Sequence, residues 1–419
     1  MQLLRSSTGA HHAIGTREFV VLMATLMSLN ALAIDGMLPA LDEIARALAV
    51  PDPNDRQLIV GTYLVANGLG CLIPGMFADR YGRRPVLFAS IAIYVATAVA
   101  CAFVTSFSAL LVLRAMQGFL TAGLIVLPSA IIRDRYDGDQ MAKLLSIIFI
   151  VFMVVPVLAP SLGQAVLLVA DWRWIFAALG LLAGLVLTWT WLRLPETLAP
   201  EHRQPIDVRT VLHNLPLTFR TPSAIGYVLA SGLTFGAVFG YINMAQQLIG
   251  EHFGAGENFP ILFGLTASTL AVSSFVNSRI VERFGARRVS HTGLIAFIAI
   301  AALQVYAALF HGESLAWFLP LMAANLCLLG FLGANFGSIA MQPFFDTAGS
   351  ASSVQAFIRM SLGAILGIII GQTYNDSALP LALALLVCSL GSLLLVLYSE
   401  RGKLFRRLNA QYYRDRPYP

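Results

Sequence analysis

Gly75-Met76-Phe77-Ala78-Asp79-Arg80-Tyr81-Gly82-Arg83-Arg84-Pro85 is the stretch on which the reading of this chain turns. An apolar run precedes it (58–77) and another follows it (86–103). Each is about 20 residues long, enough for a helix to cross a bilayer core. The stretch is therefore a short charged turn joining two spanning helices. Gly82 suits a sharp turn, and Pro85 suits the first turn of the next helix. Its three arginines mark the cytoplasmic side. A degraded copy, Glu282-Arg283-Phe284-Gly285-Ala286-Arg287-Arg288, also lies between apolar runs, with Gly82 and Gly285 203 positions apart. Two copies at half-chain spacing imply two related halves.

Composition agrees. The chain has 419 residues, 58% hydrophobic and 12% charged, and its mean hydropathy is +0.75. A soluble protein carries about 25% charged residues, so a multi-span membrane protein is the class that fits. A formal charge of +5 does not imply nucleic acid, because basic residues collect in cytoplasmic loops. The four cysteines (Cys71, Cys101, Cys327, Cys388) lie inside apolar runs without CxxC spacing, which argues against disulfide or metal chemistry. No cleavable signal peptide is evident in the polar N-terminal segment. No Walker loop, HExxH or GxSxG is found, so neither an ATP-driven pump nor a hydrolase is expected.

Twelve apolar runs are expected to span: 19–40, 58–77, 86–103, 109–132, 144–168 and 174–192, then 224–249, 259–281, 289–310, 315–341, 351–373 and 379–398. With both termini cytoplasmic, only Arg46, Arg56 and Arg173 fall on outer loops, while Arg114 and Arg359 fall within runs; every other basic residue is inside. The expected organisation is an N-terminal six-helix bundle (1–192), a cytoplasmic linker rich in proline (193–221), a C-terminal six-helix bundle (222–400) and a cytoplasmic tail (401–419). A second echo supports the duplication. Gly118-Phe119-Leu120-Thr121-Ala122 resembles Gly330-Phe331-Leu332-Gly333-Ala334, and Asp134 and Asp346 follow at the same offset.

These motifs resemble those of the major facilitator superfamily. Gly75, Asp79, Arg80, Gly82, Arg83 and Arg84 fill its signature loop after span two. Leu113-Arg114-Ala115-Met116-Gln117-Gly118 is similar to the span-four motif of its proton-coupled members. Pro156, Ala159, Pro160 and Gly163 in span five resemble its antiporter motif, with alanine at the first glycine position. Segments 33–41 and 348–352 resemble the Bcr/CflA branch of drug:proton antiporters. The resemblance implies an all-α membrane protein of twelve transmembrane helices in two six-helix bundles (the major facilitator fold) that rock about a central cavity.

Asp35 is the only acidic residue deep inside a run. A carboxylate there is costly and needs a partner or a proton, so Asp35 is the candidate for proton or cationic-substrate binding; the bland alternative is an acid at a wet helix end. Arg114 is its candidate partner, with Gln117 beside it. At about 1.5 Å per residue both Asp35 and Arg114 lie about 25–28 Å from the cytoplasmic edge, although Arg114 snorkelling to headgroups is the alternative. Burial and a nearby guanidinium act on a carboxyl's protonation in opposite senses, so small movements would load or release the proton. Asp79 and its arginines read as a cytoplasmic gate that latches on the start of span eleven. The span-five motif reads as a packed seam between halves, or as an ordinary kinked helix. Tyr241, Asn243, Gln246, Asn325 and Asn335 either line a cavity or bridge helices. Arg359, about 12 Å along span eleven, either meets an anionic substrate group or snorkels inward; the branch resemblance implies an uncharged residue there.

The expected function is a proton-coupled efflux antiporter for small amphipathic drugs or metabolites in the bacterial inner membrane. It is expected to act as a monomer driven by the proton gradient, without cofactor, metal or nucleic acid. A proton symporter importing a metabolite is the first alternative, and a non-transporting receptor or scaffold the second.

Overall fold

Backbone in hydrocarbon must satisfy its own hydrogen bonds, so apolar runs of this length fold as helices. A computed structural model describes residues 14–136, 138–203, 220–310, 313–344 and 348–405, and these form helices with no strand. The first half contributes α1 (Thr16–Asp35), α2 (Leu41–Ala47), α3 (Leu58–Gly70), α4 (Ile73–Tyr81), α5 (Arg83–Ala102), α6 (Phe107–Leu120), α7 (Gly123–Arg135), α8 (Gly138–Leu167) and α9 (Arg173–Arg193). The second contributes α10 (Pro222–Ala245), α11 (Phe259–Phe284), α12 (Ala286–Phe310), α13 (Leu315–Met341), α14 (Ala348–Gln372) and α15 (Leu379–Ser399). Every expected run falls on one of these helices or on a consecutive pair.

Among the described residues, ten helical spans are long and apolar enough to cross a bilayer, and a bent pair makes an eleventh. The twelfth run lies on α8, in which Val154–Leu167 counts as a shorter apolar helix. The run 58–77 is not one straight rod. It breaks after Gly70 and bends by 46° between α3 and α4, where Pro74 cannot donate to the preceding turn. The first run breaks as well: α1 ends at Asp35, and a 3₁₀ turn, Leu38–Ala40, leads through Pro39 into α2. Gly82 at φ 105° and Gly285 at φ 85° occupy backbone that a side chain would strain, so the repeated turn depends on its glycine in both halves.

Helices of each half pack mainly on one another, and the halves meet where α3 faces α14 and where α8 faces α11. Small residues allow the close approaches. A Cβ on Gly118 of α6 would run into the Tyr63 carbonyl of α3, and one on Gly163 of α8 into the Gly36 carbonyl just beyond α1. Outward, Leu181, Leu185 and Trp191 on α9 and Val387 and Leu394 on α15 stand exposed. Such a belt suits lipid rather than water.

Each half closes its repeated loop with an acid that follows its last helix. Glu196 accepts the backbone N–H groups of Arg83 and Arg84 at 2.9 and 3.1 Å. Glu400 accepts Arg287 Nε at 2.6 Å and Tyr227 OH at 2.7 Å. The degraded copy is thus also held by an acid, through side chains rather than backbone N–H groups, and Arg287 stands 203 positions after Arg84.

Gly118→Ala should cost about 1–3 kcal/mol of stability, the usual range for overpacking. Gly184→Ala, where nothing lies within 4 Å of the new Cβ, should be neutral or slightly stabilising. Thermal midpoints of the purified proteins check this pair of outcomes.

Candidate functional site

Asp35 ends α1, with 4% of its surface exposed, and its Oδ1 is sealed from solvent without a hydrogen-bond partner. The residue lies inside the protein, at the break in the first span. Immediately after it, the Gly36 carbonyl receives α8 at Gly163, and Ala159 of the same helix is fully buried nearby. The span-five residues therefore pack on the turn that carries the acid. Six residues before Gly163 along α8, Val157 meets Gly264 of α11 in the other half. α8 runs continuously through Pro156 and Pro160. It touches both halves, with Gly163 turned to its own half and Val157 to the other.

Arg114 is fully buried on α6, and the structure corrects the expected direct pair with Asp35. Its Nη2 donates to the Ala33 carbonyl at 2.8 Å, its Nε to the Ile59 carbonyl at 3.2 Å and its Nη1 to Gln117 Oε1 at 2.6 Å. Its guanidinium lies 4.3 Å from the centroid of the Tyr63 ring. Carbonyl oxygens and an aromatic face can hold a buried guanidinium without an acid. The anchor on Ala33, two residues before Asp35, still fixes the cation to the helix end that bears the carboxyl. Gln117 Nε2 and Tyr63 OH are buried without partners, as is Asn30 Nδ2 on α1. Orphaned polar atoms on α1, α3 and α6 are a reason to place water, a proton or a ligand here.

At the end of the bundle that carries Gly82, Arg83 Nη1 pairs with Asp79 Oδ1 at 2.6 Å and Arg83 Nε with Asp134 Oδ2 at 2.9 Å. Arg84 Nη2 donates to the Trp191 carbonyl at 2.7 Å. Arg80 is exposed, and Gly75 has nothing within 4 Å of a Cβ built on it. These bonds all stay in the first half, so the gate residues are held to their own bundle in this conformation. The latch expected on the start of span eleven falls on residues 348–353, whose side chains lie outside those described.

At the opposite end the halves are tied by polar bonds that sequence reasoning missed. Arg56, only 3% exposed, donates to Glu251 of the second half at 2.6 Å and to Asp42 at 3.1 Å. Gln57 bonds to Gln247, which also donates to Asn54 Oδ1 at 3.1 Å. Asn54 Nδ2 reaches the Tyr374 carbonyl and Gln372 Nε2 reaches the Asn54 carbonyl, both at 2.9 Å. Gln247 and Glu251 project from a π-helical turn, Gln246–His252, that ends α10. Such turns are rare and frequent at functional sites. The available signal was Arg56 as one of three basic residues on the outer side, with a Gln after it.

The remaining polar candidates divide. Tyr241 OH bonds Thr266 Oγ1 at 2.7 Å, Asn325 Nδ2 bonds Gln304 at 2.6 Å and Asn335 Nδ2 bonds Asn277 at 2.8 Å. Those three bridge helices within the second half. Asn243 has both amide atoms buried and unpartnered, and Gln246 Oε1 is likewise orphaned.

Comparison with known proteins places this geometry in context. Residues 22–371 match the family model described as Major Facilitator Superfamily. The "Bicyclomycin resistance protein homolog" of Haemophilus influenzae is 28% identical over 381 residues, covering 90% of this chain and 94% of that protein. "Multidrug resistance protein MdtL" of Klebsiella pneumoniae is 28% identical over 388 residues, covering 91% and 95%. Among solved structures, a D-xylose-proton symporter is similar in fold, with a TM-score of 0.70 at 15% identity over 93% of this chain and 100% of that one.

Arg56→Ala and Glu251→Gln should each loosen the polar plate at the Asn54 end. In a chain whose four native cysteines are replaced by alanine, an Asn243→Cys reporter, at a position now 1% exposed, should react several-fold faster with an impermeant maleimide when either substitution is added.

Proposed function

The chain belongs to the Major Facilitator Superfamily, and from that premise we propose that it is a proton-coupled efflux antiporter exporting small amphipathic compounds across the bacterial inner membrane. That it is a multi-pass membrane transporter, not an enzyme, follows from the family. Proton coupling, export and drug-like cargo are the proposal. The observation that carries it is Asp35, a buried acid whose Oδ1 is sealed from solvent without a hydrogen-bond partner, on the broken end of α1 against which the antiporter-like segment of α8 packs. The names of the relatives, which refer to bicyclomycin and multidrug resistance, favour export over uptake.

A buried carboxyl with no donor is most cheaply held protonated, and access to water or a cation lets it ionise. With the Asn54 end open, Asp35 would take a proton from the outer side, forming its O–H bond as cargo departs. Closure of the Arg56–Glu251 plate would then seal that end. With the Gly82 end open, the proton would leave to the cytoplasm as cargo enters. Arg114, bonded to the Ala33 carbonyl, would favour the ionised state after release. Cargo and proton bind alternately, so neither bundle position leaks both.

Asp35→Asn should abolish proton-driven export of drug-like dyes from everted vesicles, by at least about 10-fold, with a thermal midpoint within a few degrees of wild type. Undiminished export in that variant would remove Asp35 from the mechanism. Asp79→Ala should slow turnover several-fold while equilibrium substrate binding is preserved, because the gate lies far along the helices from the acid; normal turnover would count against the gate.

A further inference from the structure

Two arginines stand inside spans, and their surroundings differ. Arg114 spends its donors on two carbonyls and Gln117. Arg359 stands about 16 Å into α14 and has no such set. Its Nε is sealed from solvent without an acceptor, and no acid pairs with it among the described residues. Its guanidinium lies 5.0 Å from the centroid of the Phe235 ring of α10. Phe239 meets Phe235 edge-on at 5.7 Å, so an apolar aromatic wall continues from the cation. Gly337 of α13 faces Arg359, whose Nη1 is 3.7 Å from a Cβ built there; the absence of a side chain at Gly337 leaves that room.

The site also lies where the halves meet. Ser361, two residues further along α14, offers its backbone to Gly68 of α3 and keeps its Oγ buried and unpartnered. A guanidinium at membrane depth that lacks the carbonyl acceptors Arg114 has is costly unless another acceptor, such as an anion, meets it. The other buried arginines of the chain that carry ion pairs, Arg56, Arg83 and Arg287, each have their own acid.

We propose that Arg359 receives the anionic group of the cargo, so that the preferred substrates are amphipathic aromatic monocarboxylates whose ring lies along Phe235 and Phe239. This deepens the export reading and rests on it for direction. It has a consequence for energetics. A monoanion leaving while a proton enters moves positive charge inward twice per cycle, so an inside-negative potential drives anionic cargo harder than neutral cargo.

The test uses the full chain, purified, with 1-naphthoate and its neutral counterpart 1-naphthamide as probes in equilibrium binding. Naphthoate should bind wild type at least about 10-fold more tightly, as a charge-assisted contact implies. Arg359→Gln should erase the preference, and Arg359→Lys should restore part of it. Equal binding of the two probes to wild type, absence of naphthoate binding, or a preference surviving in Arg359→Gln would each overturn the proposal. If Arg359→Gln fails to fold, the wild-type ratio and the lysine variant still decide. Proteoliposomes under a potassium diffusion potential separate the two readings. A binding preference without export sinks the export reading and leaves the anion site. Dye export that is intact, with no anion preference, sinks the anion site alone.

Discussion

A carboxyl group enclosed by helices that offer it no hydrogen-bond donor is the constraint to which the rest of this structure answers. Asp35 cannot remain ionised and unpaired in hydrocarbon without a large desolvation cost. It sits where α1 stops, and the chain then turns through Pro39 rather than continuing as helix. The close approach of α8 at Gly163 excludes bulk from that turn. Arg114 is fastened to the Ala33 carbonyl, on the same helix two residues before the acid. The surroundings of one acid are thereby set by how α1, α6 and α8 are packed.

The two ends of the bundle solve different problems with different chemistry. At the Asn54 end, short amides and one shielded arginine cross from half to half. Polar bonds of that kind are strong when dry and replaceable by water when wet, which suits a contact that must open. At the Gly82 end, charged clamps close each half on itself: Glu196 on the first loop, Glu400 on the second. These clamps lie within each half, whereas the halves meet between α3 and α14 and between α8 and α11.

Much of this was legible in one dimension because the bilayer is a demanding solvent. Run length and the absence of charge inside the runs foretold the helices. Asp35 was conspicuous for the same reason: one acid in apolar surroundings is an anomaly at the level of composition. Arg56 was not, because a basic residue in a loop looks alike whether it faces water or the other half. Tyr241, Asn325 and Asn335 were ambiguous on similar grounds, since a polar group on a helix can face a cavity or a neighbouring helix, and only the positions of Thr266, Gln304 and Asn277 decide.

By itself, then, the sequence determined that the chain lies in a membrane as paired helical halves, and that one acid and two arginines stand at depth within it. Those conclusions rest on transfer free energies, which are properties of residue types and short windows. Tertiary structure alone decided which partner each charged group found: carbonyl oxygens for Arg114, Glu251 across the halves for Arg56, Asp134 and Asp79 for Arg83. Partner choice depends on distances of a few ångströms between residues far apart in the chain, and no local pattern encodes them.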